Sequence, residues 1–229
     1  MGKTVEFKRP DGQAVQGYLA EPAAAGAPGV IVIQEWWGLN AQIRGVADRY
    51  AAAGYVALVP DLYRGKSTVE QAEAEHLMNH LDFGDAAAQD LRGAVQYLKQ
   101  RCAKVGVTGY CMGGALTLLA AVQVPEADAC AVYYGYPPLE LVDPARIRAP
   151  LLAHWGTRDG AFAIAGVDAL EAKLRAAKVA FEFHRYDAMH AFANETAVGA
   201  NRLAFTEYEP KAAALAWERT LAFFAQHLR

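Results

Sequence analysis

The chain predicts an α/β fold: a mostly parallel central sheet with helices on both faces, opened by an antiparallel hairpin and carrying no lid domain. Three observations carry this expectation. Short β-branched runs alternate with helical segments along the whole length, the pattern of parallel strands joined by helical crossovers. The run Val30-Ile31-Val32-Ile33 is apolar at every position, as a strand buried on both faces must be. Between another such strand and an apolar helix stands a glycine-flanked cysteine, Cys111. A chain of 229 residues without linker, repeat or low-complexity segment is expected to form a single domain over 1–229.

The elements follow in order. Residues 4–7 and 14–19 alternate around the turn signal Pro10-Asp11-Gly12, which predicts the hairpin. After the Val30–Ile33 strand comes the loop Gln34-Glu35-Trp36-Trp37-Gly38. Asn40 is placed to cap a helix running to about Ala53, closed by Gly54. Tyr55 to Val59 is the next strand, ended by Pro60-Asp61. Helices are expected over about 69–80 and 85–101, the second with apolar residues at 87, 91, 94, 95 and 98 on one face. Strands at 129–134, 151–155 and 180–186, a helix at about 164–176 and a last helix at about 210–227 complete the pattern. Only residues 135–149 separate two core strands, too few for a lid, so the site is expected to be open.

Composition excludes several classes. The apolar share of 54% supplies a core, and a net charge of −3 without a Lys/Arg cluster gives no footprint for nucleic acid or an anionic membrane. No long apolar segment marks a secretory leader or a membrane span. Three cysteines, Cys102, Cys111 and Cys130, lack the spacing of a disulfide framework or zinc site. The expectation is a cytoplasmic monomer.

The chemistry begins at Gly109-Tyr110-Cys111-Met112-Gly113-Gly114. A strand that breaks into such a turn and continues as a helix resembles the nucleophile elbow of α/β-hydrolases, with cysteine in place of serine. The glycines suit a turn too sharp for neighbouring Cβ atoms, and a helix N-terminus favours thiolate. A cysteine nucleophile needs a base, and the base an orienting acid. The loop after the 151–155 strand carries Asp159, and the loop after the 180–186 strand carries His190, in the order nucleophile, acid, histidine. Cys111, Asp159 and His190 are therefore the expected triad. Asp187 is an alternative acid, but it lies only three residues before His190 and suits a turn. His154 and His184 fall within strands, and His76, His80 and His227 on helices.

The same pieces, with Gln34-Glu35 before an aromatic loop, Tyr55-Val56-Ala57-Leu58-Val59-Pro60-Asp61-Leu62-Tyr63 and Tyr133-Tyr134-Gly135, resemble the dienelactone hydrolase family over nearly the whole chain. The resemblance implies that the backbone N–H groups of Trp36 and Met112 form an oxyanion hole. It also implies that Glu35 holds the resting thiol and moves away when substrate arrives, with Tyr133 near that carboxylate or simply in the core. One departure stands out. Name-giving members bind the substrate carboxylate with two arginines; here Asn194 occupies one position, and the helix over about 69–80 has no arginine. Arg64 and Lys66 are the nearest basic candidates for touching substrate, the other reading being surface charges. Trp36, Trp37, Tyr136 and Phe192 are candidates for an apolar pocket wall, or for core.

The expected function is cysteine-dependent hydrolysis of small carboxylic esters or lactones, through a thioacyl intermediate and with no metal or organic cofactor. Two alternatives use the same site: a promiscuous arylesterase or organophosphate triesterase, and a non-hydrolytic thiol redox sensor. The absence of a resolving cysteine at CxxC spacing speaks against the sensor.

Overall fold

A computed structural model describes residues 2–199 and 202–229; Met1, Ala200 and Asn201 lie outside it. The Pro10-Asp11-Gly12 turn folds β1 (Lys3–Lys8) against β2 (Ala14–Ala20), pairing Lys3 with Leu19 and Phe7 with Val15. β2 lies antiparallel to β4 (Val56–Pro60). From there the sheet is parallel through β3 (Gly29–Ile33), β5 (Val105–Tyr110), β6 (Ala129–Tyr133), β7 (Leu151–Gly156) and β8 (Phe181–Tyr186). The eight strands take the order β1-β2-β4-β3-β5-β6-β7-β8. Strands β3 to β7 are buried at every position, which is why they read as largely apolar runs, broken by Thr108 in β5 and His154 in β7. β8, at the edge, is only partly buried.

The helices are α1 (Ala41–Ala52), α2 (Gln71–Asn79), α3 (Phe83–Asp85), α4 (Arg92–Lys99), α5 (Met112–Gln123), α6 (Ile164–Ala176) and α7 (Pro210–Leu228). One core forms where Ile43, Val46 and Tyr50 of α1 and Phe224 of α7 meet Val30 and Val32 of β3. The other forms where Ala94, Val95 and Leu98 of α4, Leu116 of α5 and Leu170 of α6 meet Ile31 and Ile33. Alternate residues of one strand thus feed opposite cores. Asn40 caps α1 as its side chain predicts, accepting from the Ile43 N–H at 3.1 Å.

The predicted helix over 85–101 is interrupted. Its apolar face is buried as expected, but Ala86–Leu91 winds as a π-helix between α3 and α4. In this wider turn Asp90 is buried, and its carboxylate accepts from Arg9 at 3.3 Å and from Arg64 at 2.8 Å. Residues 135–149 hold only two 3₁₀ turns, Leu139–Leu141 and Pro144–Arg146. The site is nonetheless flanked by chain. The connection between β8 and α7 folds back on itself, with Glu207 donating to the His190 carbonyl at 3.0 Å and Glu209 to that of Phe192 at 3.0 Å. Among the described residues, no helix is long and apolar enough to cross a membrane.

Candidate active site

Strand β5 ends at Tyr110, α5 begins at Met112, and Cys111 sits between them at φ 56°, ψ −118°. That left-handed conformation costs a cysteine about 1–3 kcal/mol unless its surroundings enforce it. They do: Cys111 N–H donates to the Tyr133 carbonyl at 3.1 Å, and its own carbonyl accepts from Gly114 at 2.8 Å and Ala115 at 3.2 Å. A Cβ on Gly109 would strike the Gly113 carbonyl. One on Gly113 would meet the carbonyls of Ile33 at 2.5 Å and Gln34 at 2.6 Å. The start of α5 is thereby pressed against the end of β3, which brings the Met112 and Trp36 backbones to the same corner. Among the described residues neither of these two N–H groups has a hydrogen-bond partner in the protein. Two free donors, that of Met112 at a helix N-terminus and that of Trp36 in the loop after β3, can receive a developing oxyanion.

Across the cavity, Asp159 follows β7. Its Oδ1 accepts from Ala161 and Phe162 N–H, both at 2.8 Å, and its Oδ2 meets His190 Nδ1 at 2.8 Å. The two side chains are 2% and 3% exposed. The imidazole is held further by ring contacts with Tyr134 at 5.1 Å and Phe162 at 5.5 Å. Burial opposes the imidazolium, but the facing Cys111 sulfur and the Asp159 carboxylate more than offset it, and the pKa of His190 is pushed up to about 10. Asp187, the alternative acid, instead pairs with Arg158 at 2.7 Å in solvent.

Glu35 is buried beside this pair. Tyr134 donates to its Oε1 at 3.2 Å and Asn194 Nδ2 to its Oε2 at 2.7 Å. Burial raises its pKa above the usual carboxylate range, against the opposing effects of His190 and the two donors. Cys111, His190, Glu35, Trp36 and Met112 share one cavity of about 420 Å³.

This arrangement can be set beside known proteins. The protein usf of Aquifex pyrophilus is 35% identical over 243 aligned residues that cover 100% of both chains. The carboxymethylenebutenolidase of Pseudomonas putida is 31% identical, covering 94% of this chain and 92% of the relative. A solved dienelactone hydrolase-like promiscuous phosphotriesterase from metagenomic libraries superposes with a TM-score of 0.87 at 22% identity, over 100% of this chain and 99% of that one, a likeness of fold. The family model of the dienelactone hydrolase family matches residues 15–228. The chain belongs to that family. Its activity is accordingly the hydrolysis of ester or lactone bonds.

Within this dienelactone hydrolase family member, the expected site residues divide. Cys111, Asp159, His190, Glu35, Trp36, Met112, Trp37 and Asn194 come together, all but Asp159 on the cavity wall. Four others lie elsewhere. Arg64 is committed to Asp90 and to the Asp61 carbonyl at 2.8 Å, off the cavity wall. Tyr136 lies behind Phe162, bonded to the Ala163 carbonyl at 3.1 Å. Phe192 is fully buried between Tyr134 and Tyr186. Tyr133, expected near Glu35, turns to Thr220 at 2.7 Å, and its neighbour Tyr134 meets the carboxylate. Successive strand residues should point to opposite faces. Tyr134 has φ 37°, which breaks the alternation and sends both rings into the same core. The adjacent pair Tyr133-Tyr134 just before Gly135 is the sequence signal for that switch. Phe162 and Phe205, which also line the cavity, sit in loops where no periodicity marks them.

Proposed function

We propose that this enzyme hydrolyses small, uncharged carboxylic esters or lactones through a thioacyl intermediate on Cys111, residues 1–229 acting as one catalytic domain. His190 takes the proton of the Cys111 thiol and the sulfur attacks the substrate carbonyl carbon. The carbonyl oxygen becomes an oxyanion held by the Trp36 and Met112 N–H groups. As the C–O bond breaks, His190 protonates the departing alkoxide, leaving a thioester. His190 then removes a proton from water, hydroxide adds to the thioester carbon, and collapse of the second tetrahedral intermediate releases the acid and the Cys111 sulfur. Asp159 holds the imidazole with Nδ1–H toward itself and Nε2 free for the exchange.

The observation that carries this reading is one cavity containing a strained elbow cysteine, two N–H groups unpartnered among the described residues, and a histidine locked to a buried aspartate. Preference for uncharged substrates follows from the wall. Trp36, Trp37, Phe162, Leu203 and Phe205 are apolar, and Arg202 is bound up with backbone carbonyls of its own loop and with Glu207 at 3.6 Å. The test is hydrolysis of p-nitrophenyl acetate by wild type and Cys111→Ala, with mass spectrometry of the quenched wild-type reaction. Turnover lost in the variant, together with an acetyl adduct on the Cys111 peptide, is the expected result. A variant as active as wild type would sink the mechanism.

A further inference from the structure

A second cavity, of about 170 Å³, borders the chain segment that carries His190. It shares no lining residue with the catalytic cavity, which takes His190, Ala191 and Asn194 from that segment where this one takes Ala193. Its floor is Tyr110 and Tyr133, the last residues of β5 and β6, whose rings stack at 4.5 Å. Trp217 and Pro210 of α7 form one wall. Arg49, in the last turn of α1, stands half-exposed at the mouth with its guanidinium 5.6 Å from the Trp217 ring centre. Two polar groups of this lining lack partners. Tyr110 is 4% exposed, and among the described residues its hydroxyl has no hydrogen-bond partner, whereas that of Tyr133 is committed to Thr220 at 2.7 Å. The hydroxyls of Tyr50 and Thr108 beside it are buried without partners as well. Buried hydroxyls are rarely left so. Arg49 meets Glu195 only at 3.7 Å, outside hydrogen-bond reach, so among the described residues its N–H donors are free.

We propose that this cavity is a binding site for a small organic monocarboxylate, separate from the catalytic centre. One cation at the mouth, a phenol donor at the floor and no acidic side chain in the lining select a single negative charge with two acceptor oxygens. Burial pushes the Tyr110 phenol well above its ordinary range, so it stays protonated and donates. The Arg49 charge bears on Tyr50, Tyr110 and Tyr133 alike, which sets it over the same hollow. Between these polar groups the walls are aromatic rings and alanine methyls, suited to the ring or short chain of an acid. Sites for drug-sized molecules run to about 300–1,000 Å³, and the smaller volume here limits the ligand to an acid of benzoate size. Hydrolysis of an ester generates acids of this kind, so the site takes the class of compound that the reaction releases. None of its residues takes part in the chemistry at Cys111.

The experiment is a ¹⁹F NMR titration of the enzyme with 4-fluorobenzoate at pH 7, beside 4-fluorobenzamide, which has the same ring without the charge. Saturable binding of the benzoate with a Kd of about 1 mM is expected, and binding of the benzamide weaker by about fivefold or more. Arg49→Gln removes the charge and should weaken the benzoate by a similar factor while leaving the benzamide unchanged. Tyr110→Phe removes the floor donor and should weaken both. Ala213→Phe places a ring in the cavity and should abolish binding, with thermal unfolding showing that each variant is folded. The comparison of benzoate with benzamide needs no variant and holds if a substitution prevents folding. Equal affinity for the two compounds, or no saturation by the benzoate up to about 20 mM, would overturn the proposal. So would benzoate binding undiminished in both Arg49→Gln and Ala213→Phe, the mark of a ligand in the catalytic cavity.

Discussion

Asp159 Oδ2 and His190 Nδ1, 31 residues apart in the chain, lie 2.8 Å from each other with both side chains buried. The carboxylate is already aligned, because its other oxygen is fixed by the Ala161 and Phe162 N–H groups. In Asp159→Asn the amide oxygen should keep those two bonds and turn an NH₂ toward Nδ1, favouring the tautomer with its proton on Nε2. That nitrogen could then no longer accept a proton from Cys111. The expected loss is about 10²–10⁴ in kcat with KM little changed. Steady-state kinetics check it, and a loss confined to KM would contradict an orienting role.

The raised pKa of His190 has a separate signature. Burial opposes its charge, and the facing Cys111 sulfur is the first influence that raises it, ahead of the hydrogen bond to Asp159. The imidazolium should therefore persist through neutral pH and be lost only as the pH approaches about 10. In Cys111→Ala the main opposing influence disappears while burial stays, so the ring should lose its proton at lower pH. Ring ¹⁵N chemical shifts followed by NMR across a titration report both states directly. Identical titrations in the two proteins would show that the sulfur does not face the ring as described.

Much of this was legible in the chain because the relevant signals are local. Apolar β-branched runs mark the buried strands, Asn40 its helix start, and glycine-x-Cys-x-glycine the elbow. Asp159 and His190 could be placed because each follows a strand that is recognisable by itself. What escaped depends on backbone conformation or on long connections. Tyr134 replaced Tyr133 beside Glu35 because one left-handed residue reversed the strand alternation. Asp90 reads as part of an ordinary helix because an extra residue in a turn leaves the flanking apolar face intact. The partners of Asn194 and Arg64 are 159 and 26 residues away, and no spacing rule reaches that far.

Arg64 offers a test of that last point. Its guanidinium contacts both oxygens of Asp90, at 2.8 and 3.0 Å, and anchors the loop after β4. Arg64→Ala should leave KM for an uncharged ester within about twofold of wild type, since no substrate contact is lost. It should destabilise the fold by about 1–3 kcal/mol, because a buried carboxylate keeps Arg9 but loses its shorter partner. Urea denaturation beside steady-state kinetics distinguishes the roles. A raised KM with unchanged stability would return Arg64 to the substrate site.

His154 predicts how the fold responds to acid. It is fully buried, with Nδ1 2.8 Å from the Tyr186 hydroxyl and Nε2 2.9 Å from Thr220 Oγ1. Thr220 donates its hydrogen to the Ala216 carbonyl at 2.9 Å, so its oxygen must accept from Nε2–H, and Nδ1 accepts from Tyr186. The ring is thus satisfied as the neutral form, and burial, then His184 and Arg219, hold its pKa well below the ordinary 6.5. Below that value the unfolded chain binds a proton that the folded chain resists. Stability is therefore complete above about pH 6.5 and falls with pH, by about 1.4 kcal/mol per unit, until the folded-state pKa is reached. His154→Gln should be less stable than wild type at pH 7, having lost part of the network, yet lose less on acidification to pH 5. Urea unfolding at pH 7, 6 and 5 gives both slopes. If they are parallel, the proton is taken up elsewhere, and the buried imidazole is not what makes the fold acid-sensitive.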